Sequence, residues 1–172
     1  ISNLKFIGIK NYQELDIDAL TCDSKEKTNN GIYFCIKGLN RDGHNFANDA
    51  IANGAICLVV EKFIDLPVTQ ILVENARIAM SYISSVFYAT YKSKMKFVGI
   101  TGTNGKTTTT YLIREILTKL GKSVGLIGTE GVYINHLLLP AMLTTPDPII
   151  LHKLIKDMDN NGCEYCVMEV SA

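Results

Sequence analysis

Residues 96–110 read KFVGITGTNGKTTTT, an apolar run that leads directly into a glycine-rich loop. The common phosphate-binding loop has Gly, four free positions, a second Gly, Lys and then Ser or Thr. Its first Gly would fall at position 100, which is Ile100 here, so the chain has only the shorter form from Gly102 to Thr107. The neighbouring sequence therefore decides whether this loop binds phosphate.

The sequence around the loop predicts a strand, a helix and a second strand. Residues 96–101 form an apolar strand, and after the loop apolar residues recur at helical spacing until Gly121. This apolar face consists of Leu112, Ile113, Ile116, Leu117 and Leu120. Residues 123–127 form the next strand. Such a unit predicts two parallel strands joined by a right-handed crossover.

A further helix and strand follow along the chain. The stretch Thr144-Thr145-Pro146 leads to Asp147 as N-cap and to Pro148 at the first helical position. The predicted buried side of this helix consists of Leu151, Leu154, Ile155 and Met158. Residues 163–170 then form a strand with Glu169 near its carboxyl end. We expect a parallel sheet of only a few strands with an uncovered edge, and hence the front part of a longer protein.

The first half of the chain predicts a small α/β unit of its own. The predicted strands are residues 32–36, 55–60 and 70–73, and the predicted helices are residues 46–53 and 75–91. The second helix is capped by Asn75 and has an apolar face of Ile78, Tyr82, Ile83, Val86 and Phe87. The fold class is therefore α/β. A domain over residues 1–94 precedes an incomplete phosphate-loop-type parallel sheet, flanked by helices, over residues 95–172.

Composition limits the classes of partner. Seventeen basic and seventeen acidic residues cancel, so no overall field attracts nucleic acid or an anionic membrane. No apolar run approaches the roughly 20 residues needed to cross a bilayer. We therefore expect a cytoplasmic monomer that binds small molecules and neither nucleic acid nor membrane.

Two of the five cysteines, Cys163 and Cys166, have the spacing of a redox or zinc motif. They lie in an apolar stretch that reads as a buried strand, where residues three apart point to opposite faces. A thioredoxin-type pair would open a helix, and a zinc site needs further ligands nearby. We interpret both as core residues with reduced thiols.

The glycine-rich loop and Glu169 are the candidate reactive groups. Between a strand and a helix, glycines allow the backbone N–H groups to surround a phosphate, with Lys106 against its β and γ groups. The Thr107 hydroxyl would be a ligand of Mg²⁺, and the Glu169 carboxylate would complete that site from the next strand end. The alternatives are a plain tight turn with a solvated lysine, and a strand-end glutamate that faces solvent.

The motifs together resemble the Mur ligase family. Its loop is of the TGTNGKTTT type, which accounts for Ile100. The stretch from Cys22 to Lys25, the stretch GIYFCIKG at 31–38 and the stretch DGHNF at 42–46 are similar to its N-terminal segments. The TTP stretch at 144–146 and the MEVS stretch at 168–171 match the MurE branch better than the MurF branch. The resemblance covers nearly the whole chain.

The resemblance implies a role for each matching position. Lys106 and Glu169 would be catalytic, and Thr107 and Glu169 would hold Mg²⁺. ATP would be bound by Gly102, Thr103, Asn104, Gly105, Lys106, Thr107 and Thr108. The substrate would be bound by Cys22, Ser24, Leu39, Asn40, Arg41, Thr144, Thr145 and Ser171. Two positions depart from the family pattern: Lys25 replaces an arginine, and Ala172 replaces a second serine.

The activity implied is ATP-dependent amide formation in peptidoglycan synthesis. The enzyme would add the third amino acid, diaminopimelate rather than lysine, to UDP-N-acetylmuramoyl-L-alanyl-D-glutamate through an acyl phosphate. The family's carbamylated lysine, adenine pocket and amino-acid domain lie further along its chain, so we expect residues 1–172 to be inactive by themselves. The alternatives are a nucleotide-binding module without chemistry, and a related ligase such as MurF.

Overall fold

The computed structural model describes residues 5–140 and 144–171. These residues form two compact units, one up to Ser84 and one from Ser85 onward. Each unit is built on its own sheet. None of the described helices combines the length and the apolar character that crossing a bilayer requires.

The first unit contains a five-stranded sheet. Its strands are β1 (Phe6–Lys10), β2 (Ala19–Thr21), β3 (Gly31–Phe34), β4 (Ala55–Val60) and β5 (Thr69–Val73). The spatial order is β1-β5-β4-β3-β2, with β2 to β5 parallel and β1 antiparallel to β5. The three strands predicted from sequence are confirmed as β3, β4 and β5, whereas β1 and β2 were not predicted.

Helix α1 (Ala47–Ala52) follows a 3-10 turn over Gly43–Phe46 and connects β3 to β4. Its residues Ala47 and Ala50 pack on a buried cluster that includes Tyr33, Leu58 and Val60. These side chains alternate along β3 and β4, so one face of the sheet forms this core. The short helix predicted over residues 46–53 is confirmed.

Helix α2 (Ala76–Phe87) begins as predicted, because the Asn75 side chain accepts a hydrogen bond from Ile78 N at 3.0 Å. A 3-10 turn over Thr90–Lys92 replaces its predicted last turn. Its predicted apolar face is not the buried one: Ile78, Tyr82, Val86 and Phe87 are exposed, and Ala76, Ala79, Met80 and Ser84 are buried. Small side chains allow a helix to pack closely against its neighbours. On α2 the face with alanines and Ser84 is therefore buried in place of the face with the larger apolar residues.

The second unit contains the other five-stranded sheet. Its elements are β6 (Lys96–Ile100), α3 (Lys106–Lys119), β7 (Val124–Gly128), β8 (Gly131–Ile134), β9 (Leu137–Leu139), α4 (Pro148–Asn160) and β10 (Tyr165–Glu169). The spatial order is β6-β10-β7-β8-β9. Strands β6 and β7 are parallel, as predicted, and β10 lies between them and parallel to both.

The parallel part of this sheet has three strands, as few as predicted, but β8 and β9 add an antiparallel hairpin beside β7 that was not predicted. The hairpin turns at Asn135 and His136, and Asn135 has φ of +55°. Asparagine adopts this left-handed conformation more easily than most residues. The two polar residues between Ile134 and Leu137 are the feature of the sequence from which this hairpin could have been predicted.

The core of the second unit lies between its sheet and α4. It includes Ile127, Ile155, Met158, Cys163 and Cys166. The interpretation of the two cysteines as core residues is confirmed, but the expectation of opposite faces is wrong, because Cys163 precedes β10 and is not part of its pleat. The residues that the structure describes contain no cluster of His, Cys, Asp or Glu that could hold a metal ion.

Candidate active site

The glycine-rich loop connects β6 to α3, and its backbone needs glycine at two positions. Gly102 has φ of +150° and Gly105 has φ of +77°, both in the region that favours glycine. Gly105 is the N-cap of α3, and no side chain caps the helix there. The first bond of the helix runs from Thr109 N to Gly105 O at 3.0 Å, so the N–H groups of residues 106–108 have no acceptor within the helix. The loop thus offers free donors at the positive end of a helix dipole.

Lys106 reaches back across this loop. Its Nζ donates a hydrogen bond to Gly102 O at 2.6 Å. The ammonium group therefore lies against the loop, whose residues 101–105 are exposed. The remaining predicted nucleotide contacts, Thr103, Asn104 and Thr108, are also exposed.

Glu169 is the most buried charged side chain of the candidate site, with 1% of its surface exposed. Its Oε2 accepts from Thr107 Oγ1 at 3.0 Å and from Thr129 Oγ1 at 3.2 Å. Its Oε1 accepts from Thr129 N at 2.9 Å. The alternative of a strand-end glutamate facing solvent is wrong, because the parallel register of β10 with β6 and β7 brings all three carboxyl ends together.

Gly128 and Thr129 belong to this site and were missed from sequence. A Cβ at position 128 would lie 2.5 Å from Glu169 Oε1, so only glycine leaves room for the carboxylate. Gly128 ends β7 and Thr129 follows it, just as Glu169 ends β10. Glu169 was predicted to belong to the site because ligands bind at the carboxyl ends of parallel strands. The same rule, applied to the stretch GTEG at 128–131, was the signal that could have found them.

The predicted peptide-binding residues Thr144, Thr145 and Ser171 lie next to Glu169 and Thr129. Thr145 Oγ1 donates to Glu169 O at 3.0 Å and accepts from Ser171 N at 2.9 Å. Thr144 Oγ1 lies 3.1 Å from Thr129 Oγ1. The structure therefore brings Thr145 and Ser171 to the backbone of Glu169 and Thr144 to Thr129, which hydrogen-bonds the carboxylate. Ala172 lies outside the described residues.

The predicted uridine-side residues belong to the first unit, after the carboxyl ends of the parallel neighbours β2 and β3. Cys22 is half-buried, and Ser24 is 9% exposed with its carbonyl accepting from Asn53 Nδ2 at 2.8 Å. Leu39, Asn40 and Arg41 are exposed at the tip of a turn closed by Gly38 N donating to Arg41 O at 2.8 Å. No hydrogen bond that the structure gives joins Ser24 to this turn.

Asp42 and His44 fix the base of that turn. Glu61 N donates to His44 Nε2 at 3.1 Å, so the ring proton is on Nδ1, which contacts Asp42 Oδ1 at 2.6 Å. The hydrogen bonds from the His44 side chain and backbone lower the pKa of Asp42 from 3.8 to about 2. The turn is therefore attached to the residue that follows β4 through a buried histidine.

The paired oxygens of Thr107 and Glu169 fit a magnesium ion. Mg²⁺ prefers oxygen ligands in octahedral geometry at about 2.1 Å, which sets adjacent ligand oxygens roughly 3.0 Å apart. Thr107 Oγ1 and Glu169 Oε2 are 3.0 Å apart. The hydrogen bonds to the Glu169 carboxylate described above come from threonines and not from lysine or arginine. Its negative charge is therefore available to a metal ion. Their role as metal ligands stays a prediction.

Two family models match the chain. The model described as "Mur ligase middle domain" matches residues 100–172, and that described as "Mur ligase family, catalytic domain" matches residues 16–89. The glycine-rich loop and Glu169 fall within the first match, and Ser24 and the turn at 39–41 fall within the second.

Curated relatives match along the whole chain. The UDP-N-acetylmuramoyl-L-alanyl-D-glutamate–2,6-diaminopimelate ligase of Clostridium tetani is 43% identical to this chain. The match covers all of this chain and 36% of the length of that relative. The enzyme of the same name from Geobacillus kaustophilus is 41% identical, and the match covers all of this chain and 35% of the length of that relative. The chain thus spans about a third of the length of these relatives.

Solved structures share the fold. A structure of UDP-N-acetylmuramoyl-L-alanyl-D-glutamate–2,6-diaminopimelate ligase aligns with a TM-score of 0.76 at 22% identity, over 90% of this chain and 32% of that one. A MurF ligase from Thermotoga maritima in complex with ADP aligns with a TM-score of 0.60 at 25% identity, over 89% of this chain and 32% of that one.

Proposed function

The chain belongs to the Mur ligase family, and on this premise we propose that it is part of an ATP-dependent ligase of peptidoglycan synthesis. The proposed reaction joins meso-diaminopimelate to UDP-N-acetylmuramoyl-L-alanyl-D-glutamate, in the cytoplasm. The names of the relatives at 41% and 43% identity support diaminopimelate over lysine and this branch over MurF. Residues 1–172 would bind substrates and would not complete the reaction by themselves.

One observation carries the proposal. The hydroxyl of Thr107, in the first turn after the glycine-rich loop, lies 3.0 Å from the buried carboxylate of Glu169. A simple phosphate-binding module needs the loop alone, because backbone N–H groups suffice to hold an anion. A carboxylate beside the phosphate site is costly unless a cation joins them. The pair therefore supports phosphoryl transfer over passive phosphate binding.

The reaction needs activation because a carboxylate is a poor electrophile. A carboxylate oxygen of the dipeptide substrate attacks the γ-phosphorus of ATP, ADP leaves, and an acyl phosphate forms. The amino group of the incoming amino acid then attacks the acyl carbon, loses a proton and expels inorganic phosphate. The product is an amide, and the protein must align two anions that repel each other.

The residues of this chain supply positive potential where charge develops. The N–H groups of residues 106–108 and the Lys106 ammonium would face the phosphates. Thr107 and Glu169 would hold Mg²⁺, which when bound neutralises charge on the phosphate oxygens. Thr144, Thr145 and Ser171 would hold the peptide carboxylate on the other side of Glu169. In the first unit, Cys22, Ser24 and the turn at 39–41 would bind the UDP part.

Replacement of Lys106 tests the proposal in the full-length protein. Lys106→Ala should lower the rate of ATP-dependent amide formation by about 100-fold or more, because a charge-stabilising group at the phosphate is lost. Binding of the UDP substrate, measured by calorimetry, should stay within about twofold of wild type. The matched control is Lys119→Ala, an exposed lysine at the other end of α3, which should keep wild-type activity. Unchanged ligation by the Lys106 variant would refute the assignment of the loop.

A further inference from the structure

We propose that Thr129 is a positioning residue that sets the orientation of the Glu169 carboxylate for a divalent cation. The inference rests on the proposed function, because it assigns Glu169 to the metal. It adds a residue that the sequence motifs did not single out and that does not itself need to touch the metal or the substrate.

Thr129 holds both oxygens of the carboxylate. Its N–H donates to Oε1 at 2.9 Å and its hydroxyl donates to Oε2 at 3.2 Å. Two bonds from one residue fix the plane of the carboxylate, which a single donor would leave free to rotate. The missing side chain at Gly128 lets Oε1 lie against the backbone of the adjacent strand.

The direction of the Thr129 hydroxyl is also fixed. A hydroxyl has one hydrogen, and that of Thr129 is given to Glu169 Oε2. At the 3.1 Å contact between Thr144 Oγ1 and Thr129 Oγ1, Thr144 is therefore the donor. Thr129 thus accepts from one side and donates to the carboxylate on the other.

Thr129 is the donor that would persist when a cation binds. Thr107 donates to Oε2 in the structure, but a hydroxyl oxygen that faces a cation turns its hydrogen away. The carboxylate would then lose the bond from Thr107 and keep the two from Thr129. Groups that orient a metal ligand in this way change metal affinity by about 10- to 100-fold when they are removed.

The test uses Thr129→Val and Thr129→Ser in the full-length protein. Valine keeps the shape and the backbone N–H and removes the hydroxyl, whereas serine keeps the hydroxyl. Thr129 is exposed, so neither change opens a cavity in the core. Thr118→Val, on the distant part of α3, is the matched control.

The readout is binding of Mn²⁺ in the presence of ADP, followed by electron paramagnetic resonance. Thr129→Val should weaken Mn²⁺ binding by about tenfold or more. Thr129→Ser and Thr118→Val should bind Mn²⁺ within about threefold of wild type, and the affinity of each variant for ADP without metal should not change. Wild-type affinity in Thr129→Val, or an equal loss in Thr129→Ser, would overturn the inference alone. A wild-type protein that binds no Mn²⁺ would overturn the metal assignment of the proposed function as well.

Discussion

The position of the Glu169 carboxylate depends on a residue without a side chain. A Cβ at position 128 would lie 2.5 Å from Oε1, and Gly128 is itself buried at the end of β7. Any other residue would push the carboxylate away from Thr107 or force the strands apart. The requirement for glycine here is steric, whereas at Gly105 it comes from a φ of +77°. Glycine is thus required at two positions of one site for different physical reasons.

Asp42 gives a pH-dependent prediction at the residue scale. Its pKa falls from 3.8 in the unfolded chain to about 2 in the folded protein, because His44 hydrogen-bonds the carboxylate. A lowered folded pKa stabilises the fold above the unfolded value, and this stabilisation is lost as the pH falls from about 4 towards 2. Asp42→Asn should therefore lower the free energy of unfolding at pH 7, and the difference from wild type should shrink below pH 4.

Urea denaturation at a series of pH values measures this difference. Asp65→Asn is the control, because the Asp65 side chain is fully exposed and its carboxylate lies 3.8 Å from Lys10 Nζ, beyond hydrogen-bond distance. We expect that control to stay within about 0.5 kcal/mol of wild type. A constant deficit of Asp42→Asn down to pH 2 would contradict the proposed source of the stabilisation.

At the scale of elements, the N-cap of α4 is the clearest case of a local signal. Asp147 Oδ1 accepts from Ile149 N at 2.8 Å and from Ile150 N at 3.1 Å, and Pro148 takes the first helical position as predicted. Asp147→Ala should cost about 1 kcal/mol of the free energy of unfolding. Asp157 lies near the carboxyl end of the same helix, where a negative charge is unfavourable. Asp157→Ala should therefore leave the free energy of unfolding unchanged. Equal losses in the two variants, measured by urea denaturation, would speak against the cap.

Sequence alone could predict the elements better than their inward faces. The apolar positions of α3 mark a face that the structure leaves largely exposed, with Leu112 at 58%, Ile116 at 51% and Leu120 at 70%. Thr110 and Arg114 are buried instead. Because Thr107 must face Glu169, the residues three and seven positions later face the same way. The chemistry of the loop, rather than the apolar pattern, sets the rotation of this helix.

The burial of Arg114 shows what sequence periodicity cannot reveal. Its Nη2 donates to Asn135 O at 2.8 Å, and its guanidinium lies 4.1 Å from the centre of the Tyr133 ring. Both partners belong to the hairpin of β8 and β9, which was not predicted. A buried arginine needs such partners, and they come from residues about twenty positions away. The loop, Thr107 and Glu169 were predictable because a motif defines them, whereas tertiary partners were not.

At the scale of the whole molecule, the two units carry different predicted binding tasks. The predicted donors for the phosphates of ATP lie in the unit from Ser85 onward, and the predicted UDP contacts lie in the unit up to Ser84. Each unit has its own sheet, and in both the candidate residues follow the carboxyl ends of parallel strands. Such ends are where open α/β sheets bind ligands. The two tasks should therefore be separable by mutation.

Ser24→Ala tests this separation in the full-length protein. Ser24 is 9% exposed, and its bond with Asn53 uses the Ser24 carbonyl, so alanine keeps that bond and removes only the hydroxyl. The loss of one hydrogen bond to the substrate should weaken binding of the UDP substrate by about three- to tenfold, measured by calorimetry. Its affinity for ADP should stay unchanged. Lys106→Ala should show the reverse pattern, so each variant is the control for the other. A Ser24 variant that loses ADP binding and keeps UDP-substrate binding would mean that the two tasks are assigned to the wrong units.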